Sequence, residues 1–161
     1  MGSTFKIYLP SVSAPATAIV EESTGPAPTG QGTVLVAEDE PALRTLVVGM
    51  LKKSGYTVLE AGDGLEALIV VDEYEGEIDL VVTDVVMPRM GGPELVQKLR
   101  DKRQSLPVIF MSGYTKGAAL ENVNVGSSTF LLSKPFSMEV LAQKVTEIRQ
   151  SRTYELSSPL A

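Results

Sequence analysis

Ile78-Asp79-Leu80-Val81-Val82-Thr83-Asp84-Val85-Val86-Met87-Pro88 carries the clearest structural signal in this chain. An almost unbroken β-branched run meets a carboxylate at Asp84 and then a turn rich in Pro and Gly that lasts to Gly92. A run apolar on both faces suits a strand covered by helices on either side, so Ile78 to Thr83 reads as a central strand with Asp84 at its exit. Other apolar runs end the same way. Glu38 and Asp39 follow Val34 to Ala37, Ser112 follows Val108 to Met111, and Lys134 follows Phe130 to Leu132. In an open parallel sheet, ligands bind outside the carboxyl ends of the strands, so these residues are expected to converge on one crevice.

Working outward, residues 32 to 150 alternate such runs with helical patterns, which predicts an α/β chain with a doubly wound, five-stranded parallel sheet. Thr33 to Ala37 is the first strand. Pro41 opens a helix with Leu43, Leu46, Val47, Met50 and Leu51 at helical spacing and Gly55 as its stop. Tyr56 to Glu60 is the second strand, and Asp63 caps a helix expected to bury Leu65, Leu68 and Ile69. Pro93 opens a third helix carrying Leu95, Val96 and Leu99, and Pro107 to Met111 is the fourth strand. Between Gly113 and Ser127 only Ala118 to Glu121 looks helical, which predicts a short, mobile fourth helix. Thr129 to Leu132 is the fifth strand, and Ser137 caps a last helix with Val140, Leu141, Val145 and Ile148 inward.

The flanks differ in character. Thr4 to Leu9 alternates Phe5, Ile7 and Leu9 with polar positions and ends at Pro10, the pattern of a half-buried strand with no partner in view. Residues 11–31, rich in Pro, Ser, Thr, Ala and Gly, read as a flexible linker, and residues 151–161 as a tail with little core-forming pattern.

Composition narrows the chemistry. At 161 residues the chain supports one well-buried domain plus tails. A net charge of −6 without a Lys/Arg-rich block argues against a nucleic-acid surface. With no Cys and no His, disulfides, thiolate or imidazole metal sites and a phosphohistidine within this chain are all excluded. No apolar stretch reaches membrane-spanning length and no signal peptide is evident, so a cytoplasmic location without direct membrane contact is expected.

Three carboxylates at neighbouring strand ends repel one another unless a cation neutralises them. Oxygen-only ligands favour Mg²⁺, which keeps waters and accepts phosphate oxygens into its shell. Phosphoryl transfer fits such a site. Asp84, leaving the most apolar strand, is the best nucleophile for an aspartyl-phosphate. Glu38 and Asp39 suit the metal, and Ser112 and Lys134 suit the remaining phosphoryl oxygens.

Taken together, Val34-Leu-Val-Ala-Glu38-Asp39-Glu-Pro41, Val82-Thr-Asp84-Val-Val-Met87-Pro88-Arg-Met-Gly-Gly92, Met111-Ser112-Gly113 and Lys134-Pro135-Phe136 resemble the receiver domain of two-component response regulators over residues 32–150. The resemblance implies the flavodoxin-like (βα)5 receiver fold. It implies that Asp84 is the phosphoacceptor and that Mg²⁺ is held by Asp39, Asp84, the backbone carbonyl of Val86 and, through water, Glu38. Ser112 would hydrogen-bond the phosphoryl group, Lys134 would pair with it, and the Lys134–Pro135 bond would be cis. The segment Gly2 to Pro10 is similar to the closing strand of the ATP-binding domain of sensor histidine kinases. That similarity implies residues 1–10 are the remnant of an upstream kinase domain and the whole chain the C-terminal piece of a hybrid histidine kinase.

The expected activity is acceptance of a phosphoryl group from a phosphohistidine, on a histidine kinase core or a histidine phosphotransfer protein, without turnover as an enzyme. Two alternatives stand beside it. One is a receiver used only for docking; the other is a haloacid-dehalogenase-like phosphatase, which wants a second Asp where this chain has Val86. Two routes to a homodimer are open, through the Phe5 strand or through the face of the fourth helix and fifth strand. Leu131 stands where the family usually places Tyr or Phe as a signalling rotamer. Neither Val86 nor Tyr114 offers a group to help an attacking water, so slow hydrolysis of the phosphorylated form is expected.

Overall fold

The computed structural model describes residues 30–102, 105–113 and 128–157. Among these residues, strands β1 (Thr33–Ala37), β2 (Thr57–Ala61), β3 (Leu80–Asp84), β4 (Val108–Ser112) and β5 (Thr129–Ser133) form one sheet. Helices α1 (Pro41–Lys53), α2 (Gly64–Glu73), α3 (Gly92–Lys102) and α4 (Met138–Ser157) accompany them. All pairings are parallel, in the order β2-β1-β3-β4-β5, so the expected flavodoxin-like α/β sheet is the one found. The Phe5 strand, the linker up to residue 29, the expected helix at 118–121 and Tyr114 lie outside the described residues.

The two-residue period of a strand explains the two cores. Leu35, Val81, Val108 and Phe110 face one way and pack with Leu95, Val96 and Leu99 of α3 and Ala67 of α2. Val34, Val36, Leu80, Val82, Ile109 and Met111 face the other way and pack with Val47, Val48 and Leu51 of α1 and Leu141, Val145 and Ile148 of α4. Every residue of β1, β3 and β4 is buried, which is why those runs are apolar at successive positions. Among the described residues Phe110 is the largest wholly buried side chain, and its truncation to Ala costs about 3–5 kcal/mol on the usual cavity scale.

Several expected boundaries and faces shift. Asp84 and Ser112 are the last residues of their strands rather than the residues beyond them, because Val85 N–H still reaches Met111 O (3.1 Å) and Lys134 N–H reaches Ser112 O (2.6 Å). Leu46, Leu65, Ile69 and Val140 are exposed, at 59%, 40%, 58% and 44%, where burial was expected. On α1 the buried stripe is centred on Val47, Val48 and Leu51, one residue round from Leu46. On α2 small residues face inward instead: a Cβ on Gly64 would lie 2.6 Å from Met90 Cγ, and Ala67 is fully buried. Helix α4 runs on to Ser157, through most of the expected tail. A helix already nucleated by packing propagates readily through good helix formers such as Arg152 and Glu155.

Candidate functional site

Strand register brings the separated residues level. Ala37 pairs with Thr83, so one step further along each strand Glu38 comes beside Asp84. By alternation Glu38 and Asp84 share the side of Val34, Val36, Leu80 and Val82, the α1 and α4 face. Lys134, two residues after Leu132, lies on that side as well. Its side chain crosses the end of β4 to reach both acids: Nζ is 2.8 Å from Glu38 Oε2 and 2.8 Å from Asp84 Oδ2. The Lys134–Pro135 bond is cis, as the resemblance implied.

The local scaffold holds each carboxylate in place. Asp84 Oδ1 accepts the N–H of Val86 at 3.2 Å, so both of its oxygens are engaged. The Glu38 carbonyl accepts from Arg44 Nη1 at 2.6 Å, and Glu38 Oε1 accepts the N–H of Glu40 at 3.3 Å, which fixes the turn between β1 and α1. Gly92 has to lack a side chain, because a Cβ there would collide with the Asp84 carbonyl oxygen and meet Thr83 Oγ1 at 2.9 Å. Arg44, Thr83 and Gly92 belong to this support; Gly92 was read from sequence as part of the turn after Asp84, whereas Arg44 and Thr83 were given no role. For Arg44 the cue was spacing, namely a basic residue one turn into the helix that follows an acidic pair.

One carboxylate oxygen from each of Glu38, Asp39 and Asp84 lies within 4.8 Å of the others. Glu38 and Asp84 are buried, whereas Asp39 is exposed. Burial pushes the Glu38 carboxyl above its ordinary value, further helped by the Asp84 charge and only partly offset by the Lys134 ammonium. Burial works against the charge on Lys134 too, but its hydrogen bonds to Asp84 and Glu38 prevail and hold its pKa above the ordinary value. An all-oxygen donor set with excess negative charge and one solvent-facing member matches a hard, partly hydrated divalent cation such as Mg²⁺.

Ser112 and Val86 take different positions. Ser112 alternates with Val108 and Phe110, toward the other side of the sheet; its hydroxyl is buried and donates to Gly113 O at 3.5 Å. Val86, two residues beyond Asp84, is half exposed. Leu131 on β5 is also half exposed, and Lys144 Nζ stands 5.6 Å from the ring centroid of the neighbouring Phe130. Among the described residues no helix is long and apolar enough to cross a membrane.

The profile of the response regulator receiver domain family matches residues 34–146. Sensor kinase CckA of Brucella abortus is 42% identical over 161 aligned positions, covering 94% of this chain and 17% of the kinase. Sensor protein EvgS of Escherichia coli K12 is 33% identical, covering 93% of this chain and 12% of its own length. The chain therefore spans under a fifth of these relatives. The crystal structure of the receiver domain from hybrid histidine kinase CckA matches with TM-score 0.62 and 37% identity, over 73% of this chain and 98% of that one. Chemotaxis protein CheY4 of Vibrio cholerae matches with TM-score 0.62 and 28% identity, over 74% of this chain and 99% of its own. Matched by profile, by sequence and by fold, the chain belongs to the response regulator receiver domain family.

Proposed function

We propose that this chain accepts a phosphoryl group on Asp84 from a phosphohistidine of another protein or domain, and that its phosphorylation switches the partners it binds. The observation that carries the reading is the sharing of one ammonium by buried Glu38 and Asp84, with Asp39 in reach and solvent-exposed. In the transfer, an Asp84 oxygen forms a bond to phosphorus as the phosphorus–nitrogen bond of the donor breaks. The imidazole leaves with the electron pair and takes up a proton. Val86 N–H and Lys134 orient the carboxylate beforehand, and Lys134 can then pair with the phosphoryl oxygens. Ser112, which ends the adjacent strand, would hydrogen-bond another of those oxygens once its hydroxyl turns away from Gly113 O. Glu38, Asp39, Asp84 and the Val86 carbonyl would hold Mg²⁺, which offsets charge on the transferring oxygens.

The upstream segment supports a parent of the hybrid kinase kind. A match covering 94% of this chain must extend upstream of residue 34 even if every residue after 146 is included, so the similarity to a sensor kinase is not confined to the receiver. On this reading residues 1–10 close an ATP-binding domain, residues 11–31 link it to a receiver at 32–150, and the donor is that kinase core or a histidine phosphotransfer protein.

Incubation with acetyl phosphate and Mg²⁺, followed by mass-spectrometric mapping, is expected to find the added phosphate on Asp84. Asp84→Asn is expected to take up none. Modification elsewhere, or uptake by the Asn variant, would overturn the assignment. The acyl phosphate is expected to outlast seconds by a wide margin in Mg²⁺ buffer, since Val86 offers no side-chain group to a water attacking beside Asp84.

A further inference from the structure

The loop from Val85 to Gly91 is fastened at two ends. Near Asp84 it is closed by Val86 N–H on Asp84 Oδ1 (3.2 Å) and by Gly92 N–H on Val85 O (3.2 Å). At its far end Arg89 reaches out to Asp63, the capping residue of α2. Arg89 Nε donates to Asp63 Oδ2 at 2.5 Å, Arg89 Nη2 pairs with the same oxygen, and Gly64 N–H donates to Met90 O at 3.0 Å. Asp63 is buried, while its other oxygen receives the N–H groups of Leu65 and Glu66. Arg89 has φ +60°, a conformation disfavoured for any residue with a Cβ. A loop that holds an arginine in left-handed backbone and spends its guanidinium on a carboxylate 26 residues away is pinned in place by that contact.

We propose that Asp63 and Arg89 form a positioning clamp, which holds the loop so that the Val86 backbone stays beside Asp84 and can complete the Mg²⁺ site. The clamp rests on the reading of Glu38, Asp39, Asp84 and the Val86 carbonyl as that site. Neither Asp63 nor Arg89 touches the ion or the phosphoryl group; both act through the loop. Glycine at position 89 separates positioning from stability. It is at ease at positive φ and keeps the turn, yet it has no guanidinium, whereas Arg89→Ala loses the guanidinium and keeps the backbone conflict.

The test is Mg²⁺ titration followed by amide chemical shifts, with thermal unfolding in metal-free buffer, on the whole chain and its Arg89→Gly, Arg89→Ala, Arg89→Lys and Asp39→Ala variants. The clamp predicts that Arg89→Gly and Arg89→Ala each bind Mg²⁺ about tenfold more weakly, the scale on which outer partners of metal ligands act. It also predicts that Arg89→Gly unfolds at or above the temperature of Arg89→Ala, and that Arg89→Lys recovers part of the affinity. If Arg89→Gly binds within about twofold of the parent while Asp39→Ala binds weakly, the clamp is wrong and the metal site stands. Affinity that only follows unfolding temperature across the Arg89 variants also overturns the clamp. If the parent shows no Mg²⁺-dependent shifts, or Asp39→Ala binds like the parent, the metal site is wrong and the clamp falls with it.

Discussion

Two acid–base clusters stand at opposite edges of the same sheet, and the ion pairs seen among the described residues differ in their proportions. At the amino edge, Asp79 accepts the N–H of Thr33 at 2.9 Å and faces Arg149 of α4 at 3.1 Å, a carboxylate met by a guanidinium. At the carboxyl edge, one ammonium is divided between Glu38 and Asp84, and a third carboxylate, Asp39, lies alongside. Among the described residues the first arrangement pairs one acid with one base, and it fastens β1, the start of β3 and α4 together. The second leaves negative charge in excess inside a partly dehydrated pocket, where screening by water is weak. Balance is the mark of a structural tie; imbalance keeps an affinity for a further cation.

Removing Lys134 tests that contrast hardest. Lys134→Ala leaves two buried carboxylates side by side and should lower stability by about 3 kcal/mol, the low end for breaking a buried pair, because the lysine keeps some exposure. Added Mg²⁺ should restore a larger part of the unfolding temperature in this variant than in the parent. Equal metal effects on both would erase the distinction between the two edges.

Glu38→Gln acts in the opposite direction by a smaller amount. The folded pKa of Glu38 lies above its ordinary value of 4.5, so its contribution to stability is fully present below 4.5 and is lost as pH rises through the folded value. Above that range the parent bears the penalty of a buried charge beside Asp84, and the neutral Gln does not. Metal-free Glu38→Gln should therefore unfold at a higher temperature than the parent at neutral pH, with the gap closing in acid. Mg²⁺ affinity of the parent should decline over the same acid limb.

Arg149→Ala should cost about 1 kcal/mol, the upper end for a partly exposed ion pair, and its effect should be the same with and without Mg²⁺. The smallest change in metal-free stability is expected of Asp63→Asn, a few tenths of a kcal/mol at neutral pH, since Asn still caps α2 and Arg89 is largely exposed, while its Mg²⁺ affinity should fall as for Arg89→Ala. Although burial opposes it, backbone N–H groups and Arg89 hold the Asp63 carboxyl below its ordinary value of 3.8. Its contribution is thus present above 3.8 and lost as pH falls through the lower folded value, so the variant should show a shallower acid limb in a denaturation series.

The sequence made the carboxyl edge legible because each apolar run there ends in a chemically distinct residue, and Glu38, Asp84 and Lys134 do meet. Helix faces were harder to read. A period of 3.6 residues gives a stripe but not its centre, so Leu46 and Val140 fell just outside the buried arc. On α2 the close approach of Met90 requires Gly64 and Ala67 inside, which inverts the usual size rule and turns Leu65 and Ile69 outward. Ser112 shows a different limit. Its place at a strand end was readable, but the side its hydroxyl takes depends on pleat parity across the whole of β4. The Arg89 to Asp63 contact joins two turns, and no local pattern announces it.

Helix α4 runs against the direction of the strands, so Arg149 comes beside Asp79 at the amino edge, the edge where Gly30 N–H donates to the Ser54 carbonyl ahead of β1. The first described residue and the Arg149 turn of α4 thus share the edge opposite Glu38, Asp84 and Lys134, like a component with both leads on its underside. The acidic rim therefore stands a full sheet length away from both of these anchoring contacts.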